Sequence, residues 1–296
     1  MNSRDLHYYQ KLGQLKSYTK VADFFSVSQP TVSAAVQRLE KELDARLIIR
    51  DRSHRALIFT ASGLQFLKHC DRVIQEIKAS QFEIEAIKKE KIRLGIPPII
   101  GNYYFPRLAD YLQQGIGLDS IQIIEDGSHS LRQKLRKGEL DLALLGSLPP
   151  CSTTDDPLLV VHELTKKSFQ IIVGETHPLA RWPIVSFGQL QDERFIQLNE
   201  RFIHPQAFEQ LCIQAQVHPR VINRLNDVQL IKGLVARNIG ISFLTEMAIL
   251  PGDQVHALAI SDQRQPEFVV SIAYRAAHLL TDKQKRIFDW LVQLHN

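Results

Sequence analysis

Ser28-Gln29-Pro30-Thr31, followed by Ser33, Ala34, Gln37 and Arg38, gathers hydroxyl, amide and guanidinium groups along one side of a helical pattern. At 100° per residue from about Gln29 to Leu43, the apolar residues Val32, Val36, Leu39 and Leu43 fall within about 60° of one another, a stripe that a helix buries. Pro30, Ser33, Ala34, Gln37, Arg38 and Lys41 lie opposite. Ser28 suits an N-cap, and Pro30 is tolerated in a first turn because its missing N–H has no helical partner there. The Gln29 amide can pair with adenine N6 and N7, while Thr31 and Ser33 can reach bases or phosphates. First-turn N–H groups favour a phosphate. This free side is shaped for the major groove of duplex DNA. The alternative is a solvated surface helix with no partner.

Such a helix needs a frame. Residues 4 to 45 read as three short helices. Leu6, Tyr9 and Leu12 mark the inner face of the first, and Val21, Ala22 and Phe25 that of the second, which Ser17 or Thr19 opens. The stretch RLIIRDRSHRALIFT then holds two β-rich runs around a basic turn. Three helices and a hairpin outline a winged helix-turn-helix. Thr60-Ala61-Ser62 opens a helix to about Lys89, ~43 Å long at 1.5 Å per residue. Its seam of Leu67, Cys70, Ile74, Ile77 and Ile84 has coiled-coil-like spacing, interrupted by Gln81. Too little chain lies beside it to bury that seam, so the expectation is pairing with a second copy.

From Lys91 the pattern alternates between short β-rich runs (92–96, 121–124, 140–145, 169–173, 195–198, 240–244, 268–274) and helical ones. That alternation predicts parallel sheets flanked by helices. Pro-rich interruptions at 149–157 and 251–266 divide it into two α/β lobes, and a helix over about 281–294 closes the chain. The fold class is thus multidomain α/β. A DNA-binding head spans 1–60 and a linker helix 61–90. The two-lobed domain spans 91–296, with lobe I about 91–163 and 268–296 and lobe II about 164–267.

The segment YTKVADFFSVSQPTVSAAVQRLEKELDARLIIRDRSHRALIFTASG resembles the N-terminal signature of LysR-type transcriptional regulators. Ala22, Ser28, Gln29, Pro30, Ser33, Leu39, Glu40, Leu43, Leu47, Arg50, Thr60 and Gly63 match without a gap. LRKGELDLALLG, ETHPLA and LVARNIGISFLTE match more loosely, and the resemblance covers essentially the whole chain. It implies promoter DNA as a partner and a small-molecule effector, held in a cleft between lobes shaped like those of a periplasmic binding protein. It also implies a dimer through the linker helix, a tetramer overall, and RNA polymerase as a further contact. The opening residues are similar to those of regulators of malolactic fermentation genes, which implies malate as effector. Three departures stand out. Ala34 replaces a frequent Arg, and Ser53 replaces a basic wing residue, so Arg52 or Arg55 is expected to make the backbone or minor-groove contact instead, with Arg50 a further DNA-binding residue. Asp44 replaces a common Gly in a turn whose geometry Asp tolerates.

In the α/β half, ligands sit where strands end and helices begin, because first-turn N–H groups attract anions. Three junctions qualify. One is GIPPIIGN, with Pro98, Ile99 and Ile100, where many relatives carry a hydroxyl residue in place of Ile99. The next is EDGSHSLRQ, where Ser128 could cap a helix and face the cleft. The last comprises Ser147 in LGSLPP, Phe202 to His204, and Ser242. His177, in THPLA, reads as a loop residue rather than a catalyst.

The 296 residues carry 36 Lys and Arg against 32 Asp and Glu. Residues 1–90 hold 15 basic and 11 acidic side chains, and the rest holds 21 of each, so all of the positive surplus lies where a polyanion would bind. Three well-separated cysteines suggest neither a disulfide frame nor a zinc site. No cofactor, metal or enzyme motif stands out, and no apolar run approaches a membrane span. The start of the chain lacks a signal-peptide core, so the expected location is the cytoplasm. Two rival classes share part of this pattern: a solute-binding protein, and a DNA-binding protein of the same fold that needs no effector.

Overall fold

The computed structural model describes residues 1–50, 57–149 and 156–294, with Arg50 described by its backbone alone. The chain divides into two compact units, Met1–Phe82 and Glu83–Asn296.

In the first unit, α1 (Ser3–Leu15), α2 (Tyr18–Phe24) and α3 (Gln29–Glu42) precede β1 (Ile48–Arg50) and β2 (Leu57–Phe59), which pair antiparallel. Helix α4 (Ala61–Lys88) follows. Asn2, Ser17 and Ser28 cap the first three helices with side-chain oxygens. Thr60 caps α4 by accepting the Gly63 N–H at 2.9 Å. Leu6, Tyr9, Leu12, Val21, Val32, Ala35, Val36 and Leu39 form the core. Leu43, expected in the buried stripe, is 37% exposed, because as the C-cap it lies past the last helical turn that α1 and α2 cover.

The seam on α4 divides differently from expectation. Cys70 and Ile74 are buried in the head's own core with Leu67 against them. Gln10 of α1 reaches Asp71 at 2.7 Å, so α1 covers that side of the helix. The large apolar residues left exposed on α4 are Leu64, Val73, Phe82, Ile84 and Ile87, with Ile77 half-buried. Val73, Ile77, Ile84 and Ile87 share one face, which keeps Ile77 and Ile84 of the predicted seam, and Leu64 and Phe82 fall on the opposite side.

The second unit carries two lobes. In the first, β3 (Ile92–Ile96), α5 (Pro98–Gln113), β4 (Ile121–Glu125), α6 (Ser128–Arg136), β5 (Leu142–Ser147) and β6 (Leu159–Lys167) come in order. In the second come β7 (Phe169–Gly174), β8 (Ile184–Val185), β9 (Arg194–Leu198), α7 (His204–Ala215), β10 (Arg220–Leu225), α8 (Val228–Ala236), β11 (Ser242–Thr245) and β12 (Val255–Ile260). The chain returns to the first lobe as β13 (Phe268–Arg275) and ends in α9 (Asp282–Gln293). The first sheet runs β4-β3-β5-β13-β6 and the second β11-β7-β12-β8, with β9 and β10 paired alongside.

These sheets are mixed, not parallel as predicted. β3 is parallel to β4 and β5, but β13 runs antiparallel to β5 and β6, and β7 antiparallel to β11 and β12. The cause is the double crossing between lobes. A strand that re-enters a sheet from the other lobe needs no crossover helix and can lie antiparallel. β6 extends to Lys167, so the expected lobe boundary at 163–164 falls inside a strand. Buried polar contacts fasten the end of α4 to the first lobe. Arg275 and His278 reach Glu83 at 2.6 and 3.2 Å, and Arg93 grips Asp141 beneath them.

Candidate functional site

Helix α3 presents the polar face that its spacing predicts. Pro30, Thr31, Gln37, Arg38 and Lys41 are exposed, and Ser33 and Ala34 are half-buried. Ser28 Oγ accepts the Thr31 N–H at 3.4 Å and lies 2.8 Å from the Thr31 hydroxyl, fixing the first turn. Arg38 is held rather than free. Its Nε and Nη2 donate to buried Asp5 of α1 at 2.9 and 2.6 Å, so the guanidinium has a set direction while half of it stays in solvent. Glu40 accepts the Leu47 and Ile48 N–H groups at 2.8 and 3.2 Å, tying α3 to the hairpin. A Cβ on Gly63 would lie 2.0 Å from the Leu47 carbonyl, so that approach requires glycine. Asp44 sits in the left-handed region at φ 47°, the turn geometry that the family's usual glycine would take. Arg52 and Arg55 lie outside the described residues.

In the second unit, three helices begin around one small cavity between the lobes. Its walls include Pro97, Ile99 and Ile100 at the start of α5, Gly127 and Ser128 at α6, and Ile203 and His204 at α7. Space for a water-sized centre is about 20 Å³, enough for about one such group. The cap residues are Pro97, Gly127 and Ile203, and none supplies a side-chain hydrogen bond. The six other α-helices among the described residues all have one, from Asn2, Ser17, Ser28, Thr60, Asp227 and Thr281. First-turn N–H groups have no partner within a helix. Around this cavity they also lack a side-chain cap, and their dipole ends favour negative charge.

The expected effector residues separate here. Ile99, Ile100, Ser128 and Phe202 line the cavity with Pro97, while Pro98 lines a neighbouring groove with Gly101 and Phe105. Ser128 is not the helix cap: Gly127 takes that position, and Ser128 Oγ accepts the Gly146 N–H at 2.8 Å instead. Ser147 is half-buried at the end of β5, and Ser242 is fully buried in β11; neither lines the cavity.

Sequence reading placed His204 within a candidate junction without singling it out, and gave Gly127 no role. A Cβ on Gly127 would lie 2.7 Å from the Arg201 carbonyl across the cleft, although its φ of −69° suits any residue. His204 is 2% exposed, its Nε2 accepts the Thr245 N–H at 3.3 Å, and its Nδ1 has no partner. Burial pushes its imidazole down to about 3. The signal available in the sequence was the run of residues unable to cap, Pro97, Gly127 and Ile203, ahead of three helical patterns. His177 accepts the Leu179 N–H at 3.2 Å, a turn role. Burial pushes the Cys70 thiol up to about 12 and that of Cys212 up to about 11. No group of metal-binding side chains and no helix fit to cross a membrane occurs among the described residues.

Two known families match. The bacterial regulatory helix-turn-helix protein, lysR family, corresponds to residues 3–64, and the LysR substrate binding domain to residues 87–295. The malolactic fermentation system transcriptional activator of Lactococcus lactis subsp. lactis (strain IL1403) is 32% identical over 297 residues, covering 99% of each chain. A hydrogen peroxide-inducible genes activator of Haemophilus influenzae is 25% identical over 293 residues, covering 97% of this chain and 95% of that one. The effector binding domain of QuiR in complex with shikimate superposes with a TM-score of 0.60 at 20% identity, covering 69% of this chain and 96% of that one.

Proposed function

Because this chain belongs to the LysR family of bacterial transcriptional regulators, we propose that a small carboxylate in the cleft of its effector-binding domain controls how its head engages promoter DNA. Three helix starts that lack a side-chain cap and surround one cavity carry this reading. A bound carboxylate would do for them what Ser28 and Asp227 do elsewhere in the chain. The similarity to a malolactic fermentation activator, and to a domain that holds shikimate, a carboxylic acid, agrees with an organic-acid effector and keeps malate as the first compound to try.

At the head, Ser28, Gln29, Thr31, Ser33 and Gln37 face the base edges. Arg38, aimed by Asp5, reaches a phosphate, and Arg50, Arg52 and Arg55 of the wing grip the backbone. Ala34 leaves the centre of this face without a long side chain, so the bases opposite are read by their neighbours. The face of α4 that carries exposed Val73, Ile84 and Ile87 beside half-buried Ile77 supports pairing of two copies, which would place two α3 helices on half-sites a helical turn or its multiples apart. Tetramer formation and contact with RNA polymerase complete the proposal. Ligand shifts the population of assemblies only if it binds one of them more tightly.

The test is a fluorescence-anisotropy titration of the full-length protein on its own upstream DNA and on a scrambled duplex, with and without L-malate and other carboxylates of two to five carbons. Preference for the upstream duplex, altered by a carboxylate, is expected, and Gln29→Ala should reduce that preference by about 1–3 kcal/mol. Equal binding to both duplexes would refute the DNA reading. Binding indifferent to every carboxylate would favour an effector-independent regulator.

A further inference from the structure

We infer that His204 is the specificity-determining donor of the cleft, presenting Nδ1–H to one oxygen of a carboxylate. The inference rests on the cleft being an anion site and adds which side chain selects the ligand's head group.

Five buried side-chain polar atoms among the described residues lack a partner: Gln197 Nε2, His204 Nδ1, Asn238 Oδ1, Ser242 Oγ and Ser271 Oγ. His204 is the member of that set that lines the cavity between the lobes, its ring packed against Phe202 and Phe268 of the same lining. Which proton its ring carries follows from its neighbours. The Thr245 N–H donates to Nε2, so Nε2 offers a lone pair and the neutral ring carries its hydrogen on Nδ1. Phe169, Phe202 and Phe268 surround the ring with centroids 5.4, 6.2 and 5.7 Å away. That apolar shell keeps the imidazole neutral, with a pKa lowered to about 3 by burial, so Nδ1 remains a donor without a full charge throughout the physiological range.

An unmade hydrogen bond at a buried donor costs free energy that an acceptor from a ligand restores. The rest of the lining is mostly apolar, and its polar groups include Ser128 and Arg201, whose carbonyl oxygen faces Gly127. First-turn amides start all three helices, and Ser128 Oγ already accepts from Gly146, which leaves its own proton to give. The donors from the helix starts, His204 and Ser128 favour an acceptor head group over ammonium groups and metal cations. A head with two flat oxygens and one negative charge matches three dipole ends and one neutral N–H better than a tetrahedral dianion, which would be larger and more costly to desolvate there. With room for about one water-sized centre, the cavity also fits a single carboxylate oxygen better than a phosphate.

The experiment uses full-length protein, with L-malate, L-lactate, succinate and inorganic phosphate as probes in calorimetric titrations. Histidine ¹⁵N labelling follows the Nδ1–H resonance of His204 in the same samples. The wild type should bind at least one carboxylate more tightly than phosphate, and that compound should move the His204 resonance. His204→Phe should lower its affinity by about 10- to 100-fold. A carboxylate that binds wild type and His204→Phe equally, with the resonance unmoved, would overturn the role of His204 and leave the anion site standing. Tighter binding of phosphate would overturn the choice of carboxylate. Binding of none of the four would overturn both this inference and the anion-site reading. If His204→Phe does not fold, because the Thr245 N–H loses its acceptor, the resonance in wild-type protein decides the matter.

Discussion

The head and the cleft treat the same problem, the unpaired N–H groups at a helix start, in opposite ways. Ser28 closes the first turn of α3 from within the chain, and Asp5 and Glu40 hold Arg38 and the hairpin in place. The head is complete before any partner arrives, and its recognition chemistry stands on side chains. Around the cleft, Pro97, Gly127 and Ile203 leave three helix starts without a side-chain cap, and His204 leaves a buried donor unpaired. That region becomes complete only when something supplies acceptors. One unit is preorganised to bind and the other is built to be changed by binding.

The largest expected effect lies in the preorganised half. Gly63→Ala forces a Cβ to 2.0 Å from a backbone oxygen that cannot move freely, and should destabilise the head by about 3 kcal/mol, abolishing DNA binding in an anisotropy assay. Ordinary DNA affinity in this variant would show the head to be more pliable than its packing indicates. The cleft half should dominate the response to acid. The unfolded chain protonates His204 near pH 6.5 and the folded chain only near 3, so between those values the unfolded state binds more protons. Its share of stability therefore falls as pH drops through that window, by up to ~1.4 kcal/mol per unit. His204→Phe should flatten that limb of the denaturation profile, and an unchanged slope would place the acid sensitivity elsewhere.

Gly127→Ala sharpens the contrast with Gly63. Its backbone suits alanine, and the new Cβ meets only Arg201 across the cleft. Folding should survive while carboxylate affinity falls roughly 10-fold, a loss of about 1.4 kcal/mol. Ser28→Ala should cost the head ~1 kcal/mol in a urea titration, with no recovery on adding a carboxylate. Asp44→Gly, which relieves a left-handed φ, should raise head stability by about 0.5 kcal/mol. A loss there would mean that the Asp44 side chain contributes something its conformation does not reveal.

The head was the more legible half, because a buried stripe and a polar flank on one helix are local patterns. Its supports were not. Asp5 and Glu40 act across 33 and 7 residues of chain, and nothing in their neighbourhoods marks them as struts. On α4 the periodicity showed an apolar face but not which surface would cover it. Cys70 and Ile74 were claimed by the head's own core, and Val73, Ile84 and Ile87 were left outside. Strand β10 was missed because RVINRL is largely exposed, and β12 because it lies in a segment read as a Pro-rich break. In the cleft, Ile99, Ser128 and Phe202 to His204 were anticipated at strand ends, yet the decisive features are residues that fail to cap and a histidine whose burial depends on its neighbour Phe202 and on Phe169 and Phe268, both distant in sequence.

Amide hydrogen exchange on the full-length protein, with and without carboxylates of two to five carbons, addresses the contrast most directly. The account predicts that a bound carboxylate slows exchange at Ile99, Ile100, Ser128, His129 and His204 together, while Thr31, already capped by Ser28, is unchanged. A carboxylate that binds yet leaves all three cleft helix starts exchanging as before would contradict it, as would a panel in which no compound alters exchange there.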